Sequence, residues 1–288
     1  MDFPRALRER RTRRHLSQLE LALRAGTTQR HLSFIESGRS APGRKMVVRL
    51  AESLELPLRE RNELLLAAGY APAYPESALD DPVLAPVRTA IDHILRGHLP
   101  YPALVADRSG GLIAANSAFD RITEGVSPEL VGPGTNIYRL ALHPDGLAPR
   151  IRNLAEWARH ILARLGHLEE LRAELTEYVP QLDPSAGLLG FAVPLHLRSS
   201  YGELHLITTV TTFATAVDVT LAELKLEAFL PADAATAEAL SVAAAAAAVQ
   251  APGPWARCVR GAGLWRHQCW IFMASLRTAS TAPRTAAA

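Results

Sequence analysis

Apolar residues in the first 70 positions recur three and four apart in short runs, each closed by a helix stop, which predicts five short helices. Leu7 anchors a first helix over residues 4–14, with Pro4 suited to its first turn. Ser17 followed three residues later by Glu20 spells a capping box, so a second helix is expected over 18–25, burying Leu19, Ala22 and Leu23. Gly26 ends it, and Thr27-Thr28 opens a third helix over 29–37. Leu32 and Ile35 face inward there, whereas Gln29, Arg30 and Ser33 face elsewhere. Past Gly38, Val47, Leu50, Ala51 and Leu54 mark a fourth helix over 44–54, and Leu64, Leu65 and Ala68 a fifth over 58–68. Residues 1–70 thus read as one compact all-helical domain.

Pro72, Pro75 and Pro82 with Asp80-Asp81 mark residues 71–82 as a linker. Helical spacing resumes over 83–95 through Val87, Ile91, Ile94 and Leu95. The period then changes: the short apolar runs 103–106 and 112–115 flank Asp107-Arg108-Ser109-Gly110-Gly111, the pattern of a hairpin with glycine in the turn. Asn116 is placed to cap a helix through Phe119 and Ile122. Two longer helices are expected over 148–164 and 168–179, then strands over 191–197, 203–212 and 220–229. This order fits a mixed α/β domain over 83–232. Residues 233–288 read as an alanine-rich segment and a poorly structured tail. Three of the four tryptophans fall in 253–280, which leaves open an arm that packs on a partner subunit.

Charge sharpens this division. The 288-residue chain carries a net +2, yet residues 1–70 hold 14 Arg or Lys against 8 Asp or Glu, and the remainder 17 against 21. A basic balance confined to one small domain suits a polyanion, and nucleic acid is the expected partner. Two cysteines, Cys258 and Cys269, make no disulfide framework and suit a reducing cytoplasm. No signal-peptide pattern opens the sequence, and the six alanines at 243–248 are too few to span a bilayer, so a cytoplasmic protein without a membrane partner is expected.

Two short helices joined by a tight turn, the second exposing polar side chains beside buried Leu32 and Ile35, meet the requirement for reading a major groove. Leu16-Ser17-Gln18, Ala22, Gly26 and Ile35-Glu36-Ser37-Gly38-Arg39 carry a pattern that resembles the XRE (Cro/C1-type) helix-turn-helix regulators over about residues 5–69. The resemblance implies a lambda-repressor-like fold. Thr27 stands where valine is more usual, and Phe34 where an Arg or Lys often sits. Gln29, Arg30 and Ser33 are the candidate base readers, since Arg pairs bidentately with guanine and Gln with adenine. Gln18 and Thr28 at helix starts, with Arg39, Arg44 and Lys45, are candidate phosphate contacts. His31 is as well explained by an exposed position beside the core. A single head of this size touches few base pairs, so a homodimer on a pseudo-palindromic operator is expected.

The second domain offers no nucleophile or metal constellation: His196 and His205 lack a third ligand at metal-site spacing, and the glycines at 110–111 and 132–134 are turn glycines. No enzyme, catalytic residue, metal or cofactor is expected. Leu104-Val105-Ala106-Asp107, Ile113-Ala114-Ala115-Asn116, Gly134-Thr135-Asn136-Ile137-Tyr138-Arg139, Leu154-Ala155-Glu156-Trp157-Ala158 and the run Leu224–Pro231 are similar to the MmyB-like ligand-binding domain over about residues 100–243. That resemblance implies a PAS-like α/β fold and a fatty-acid-like ligand, and it carries Asn116, Asn136 and Trp157 over as ligand-side positions. A buried carboxylate head would need a donor, for which Arg139, His143 and Arg152 are the candidates. The alternative is a domain that only dimerises the regulator and binds no small molecule.

Overall fold

The computed structural model describes residues 2–132, 134–166, 168–179 and 193–250. The strand start expected at Phe191 and the tail expected from 251 lie outside them. Five helices open the chain: α1 (Phe3–Arg13), α2 (Gln18–Arg24), α3 (Gln29–Glu36), α4 (Arg44–Ser53) and α5 (Leu58–Ala67). A 3-10 turn at Pro82–Leu84 leads into α6 (Ala85–Gly97). There follow β1 (Ala103–Ala106), β2 (Leu112–Ala115), α7 (Ser117–Ile122), α8 (Ile137–Leu142), α9 (Leu154–Arg164) and α10 (Glu169–Glu177). The chain continues through β3 (Leu195–Ser199), β4 (Gly202–Thr211), α11 (Val219–Glu223), β5 (Lys225–Pro231) and α12 (Ala234–Gln250). The described residues divide into two compact units, those up to 89 with 212–224, and those of 90–211 with 225–250.

In the first unit the expected capping box is formed: Ser17 Oγ accepts from the Glu20 amide at 3.1 Å and Glu20 accepts from the Ser17 amide at 2.7 Å. Thr28 caps α3 through the His31 amide. Gly26 and Gly38 terminate α2 and α3 at φ +61° and +73°, in the left-handed region that glycine enters at no steric cost. Leu7, Leu21, Leu32, Ile35, Leu50 and Leu64 close the core. Leu19 and Leu23 do not join it. They lie one turn apart on the outer side of α2, 50% and 69% exposed, while Leu21, Ala22 and Ala25 take the inner side.

The stretch between β4 and β5 belongs to this same unit. Val219 is fully buried, its amide donating to Pro75 O at 2.8 Å. Asp218 accepts from the amides of Leu221 and Ser77. The strand expected over 220–229 therefore begins only at Lys225, because the Asp218 cap turns Val219–Glu223 into α11.

The second unit is built on one antiparallel sheet of strand order β2-β1-β5-β4-β3. Pairings of Leu104 with Glu227, Phe229 with Thr208, Leu206 with Leu195 and Leu204 with Leu197 place these residues on one face. There Leu104, Phe229, Leu206 and Leu197 form a core with Ile122 of α7, Leu140 of α8 and Trp157 and Ile161 of α9. The six-residue α8 was not foreseen, and the helix expected over 148–164 starts at Leu154 behind a 3-10 turn at Ala148–Arg150. The alanine-rich segment after Asp233 forms α12, which packs on β4 and β5 and buries Leu240. The chain is thus an all-helical helix-turn-helix region followed by a mixed α/β domain built on a five-stranded antiparallel sheet.

Candidate DNA-reading face and ligand-binding domain

The basic side chains of α1 are largely committed within their own unit. Arg5 pairs with Glu9, Arg10 with Glu60 and Glu63, and Arg13 with Glu60, while Arg8 and Arg14 donate to the carbonyls of Glu36 and Glu55. Arg11 forks onto Glu36 at 2.7 and 2.9 Å. The Glu36 side chain is wholly buried and also accepts from Gln18 Nε2 at 2.8 Å. Gln18, expected at a phosphate, therefore uses its amide nitrogen inside the fold.

A different set of cations stays unengaged. Arg30, Arg39, Arg44, Lys45 and Arg49 are exposed, and among the described residues their side chains make no hydrogen bond or ion pair. Arg30 lies on α3 with exposed Gln29 and half-buried Ser33, Arg39 follows that helix, and Arg44 and Lys45 open α4. Thr28 is exposed at the α3 cap, and His31 Nδ1 meets Thr27 Oγ1 at 2.8 Å. This face offers free donors around one exposed helix, as contact with base edges flanked by phosphates requires.

In the second unit the expected head-group cations are occupied near the surface. Arg139 forks onto Glu174 at 2.7 Å with both nitrogens, which holds that carboxyl below its usual range. Arg152 meets Glu203 at 3.0 Å. His143 stacks edgewise on Tyr178 and its Nδ1 accepts from the Asp145 amide. Asn116 is buried with its amide fully used: it donates to Leu95 O and Tyr101 O and accepts from the amides of Ala103 and Phe119. Asn136 caps α8 and donates to Ser109 O. Trp157 sits in the core, its ring 5.5 Å from that of His160.

A second set of charges lies against the core. Glu227, 5% exposed on the core-facing side of β5, pairs with Arg164 of α9. Burial, and then the nearby Arg164 charge, lower the proton affinity of both His160 and Lys225. Lys225 is two residues from Glu227 on the same strand face and makes no ion pair among the described residues. Thr208 Oγ1, diagonal to Glu227 across β4, is buried without a hydrogen-bond partner.

Comparison with known proteins matches residues 87–243 to the family described as "MmyB-like transcription regulator ligand binding domain", more than half of the chain. The chain belongs to the MmyB-like transcription regulators. Residues 7–61 of this MmyB-like chain match a helix-turn-helix family. Among solved structures it is similar to the PAS domain of a Desulfitobacterium hafniense protein, at 15% identity over 46% of this chain and 91% of that one, with a TM-score of 0.21. It is also similar to an RNA-binding light-oxygen-voltage receptor, at 16% identity over 86% and 64% of the two chains, with a TM-score of 0.23. No curated protein matches it.

The MmyB-like chain is accordingly a DNA-binding regulator with a ligand-binding C-terminal domain, and both matched domains are regulatory. Among the described residues no helix is long and apolar enough to cross a membrane. Sequence reasoning passed over Arg164, Lys225 and Glu227. The available signal was the strand period: Lys225, Glu227 and Phe229 alternate onto one face, and Phe229 marks that face as the inner one.

Proposed function

We propose that this MmyB-like regulator binds a pseudo-palindromic operator as a homodimer and responds to a fatty-acid-like molecule in its PAS-like domain. Gln29, Arg30 and Ser33 read base edges, and Thr28, Arg39, Arg44 and Lys45 hold phosphates. The observation that carries the DNA reading is the contrast between tied and untied cations: α1 spends its arginines on Glu36, Glu60 and Glu63, while those on and beside α3 keep their donors.

For the ligand, the support is a largely apolar core crossed by a few charges. Trp157 and Phe229 supply apolar wall, and Lys225 beside the Arg164–Glu227 pair supplies the cation that an anionic head needs when it leaves water. Arg139, Arg152 and His143 have partners on the outer side and are weaker candidates for that contact. Such a ligand shifts DNA binding only by its differential affinity for two arrangements of the regulator.

Mass spectrometry of small molecules released from the purified protein, followed by operator titration with and without the molecule found, tests the reading. A released long-chain acid that changes operator affinity supports it. A fatty-acid panel that changes neither melting nor operator affinity replaces it with a C-terminal domain that only dimerises.

A further inference from the structure

Phe34 is a half-buried aromatic on the helix that carries the free donors, and its burial is not core packing. The partly buried apolar side chains seated on the core of this unit are Leu16, Met46, Val48, Ala67, Ala68 and Tyr70, and Phe34 is not among them. Its backbone is nevertheless firmly held. Phe34 O accepts from the amides of Arg39 at 2.9 Å and Ser40 at 3.2 Å and from Ser37 Oγ at 3.1 Å. The ring's distinctive neighbour is Arg30, one turn earlier, whose guanidinium carbon lies 5.4 Å from the ring centre.

This arrangement has a chemical consequence. A guanidinium resting on an aromatic face is attracted to the ring's negative face, yet all its N–H donors lie in its own plane and stay available. Arg30 makes no hydrogen bond among the described residues, so the ring steadies it without consuming what it needs for guanine O6 and N7. The ring itself can offer a base edge only an apolar contact. In the major groove the one apolar group on an unmodified base is the thymine 5-methyl. Arg30 and Phe34 are separated by about 6 Å along the helix axis, so the ring meets a base within one or two steps of the guanine.

We infer that Phe34 is a specificity-determining residue that selects a thymine next to the guanine read by Arg30, through the 5-methyl group. This rests on the DNA reading above and adds a contact at the α3 position where the sequence departs from the Arg or Lys usual in the family.

The test uses the full-length protein and duplexes selected from a random pool. In the enriched site, the guanine read by Arg30 is located as the one whose 7-deaza replacement weakens wild type but not Arg30→Ala. Each thymine within two steps is then replaced by deoxyuridine, which removes only the methyl. One such replacement should weaken wild-type binding about fourfold per half-site, the size of one buried methyl group. Phe34→Ala should bind the thymine and uracil duplexes equally, and Phe34→Leu, still apolar, should keep part of the preference. An enriched site at which no uracil replacement lowers wild-type affinity overturns the inference while leaving the DNA reading intact. Failure to enrich any sequence removes the DNA reading and this inference together.

Discussion

Arg59 forks onto Glu223, 164 residues away in sequence, with its Nε at 2.8 Å and its Nη2 at 2.9 Å from the two carboxylate oxygens, and the same Nη2 reaches Glu76 at 2.6 Å. The fork pins the stretch between β4 and β5 to α5. Arg59→Ala should release it at a cost of about 1–2 kcal/mol, the value of a partly screened bidentate pair. Amide exchange reads this directly: protection of Val219, whose amide is bonded to Pro75 O, should fall while that of Leu32 stays unchanged. Equal protection of Val219 in both proteins would sink this role.

Two arginines with free donors separate base reading from charge neutralisation. Arg30→Ala should weaken the selected site more than random duplex, by about 1–3 kcal/mol for a bidentate guanine contact. Arg44→Ala should weaken both alike and flatten the salt dependence, because a phosphate contact carries no base information. Titrations at several salt concentrations check both, and equal losses on selected and random DNA for Arg30→Ala would refute its role.

Glu36 is the buried anion on which Arg11 and Gln18 converge. Glu36→Ala leaves the Arg11 guanidinium, only 14% exposed, without its partner, and such an unpaired buried charge costs about 3–5 kcal/mol. Urea denaturation followed on the helix-turn-helix unit should show most of its stability lost. A loss below about 1 kcal/mol would mean that water replaces the carboxylate.

Acid should loosen the segment around α11. Burial alone would raise the Asp218 pKa, but hydrogen bonds from Ser77, Leu221 and Thr220 outweigh it and the net shift is downward. A depressed folded-state pKa gives stability that is complete above the ordinary aspartate range, near pH 3.9, and is lost as the pH falls through the lower folded value. Asp218→Asn keeps one acceptor oxygen where the carboxylate offers separate oxygens to Leu221 and Ser77, and it removes the charge. Exchange rates of the Ser77 and Leu221 amides in wild type and variant should differ at pH 6 and converge toward pH 3. A gap constant over that range would argue against the linkage.

Local chemistry was the legible part of this fold. Ser17, Glu20, Gly26 and Gly38 act through neighbours a few residues away, so their pattern fixes α2 and α3 from sequence. Leu19, Leu21 and Leu23 alternate along one short helix, and only the packing of α2 against its neighbours decides that Leu21 goes inside. Thr220–Glu223 runs without a break signal into the apolar residues of β5 and so was read as the start of that strand, whereas its helix is capped by Asp218, which is itself held by Ser77, 141 residues earlier. The ion pairs of the α1 arginines were not legible, because their partners Glu36, Glu60 and Glu63 lie on other helices. At the ligand-binding domain the resemblance pointed to Asn116, Asn136 and Trp157, while the charges that face the core sit at the end of α9 and on β5.

Because Val219 and Glu223 complete a unit otherwise made of the first 89 residues, the DNA-binding head is discontinuous in the gene. Recombination that exchanges only its leading segment between regulators would graft a head lacking the buried Val219 segment bonded to Pro75 and the carboxylate that Arg59 grips. Productive chimaeras would have to carry two crossovers more, bracketing codons 212–224, so specificity in this lineage is expected to change by point substitution on α3 more readily than by swapping whole heads.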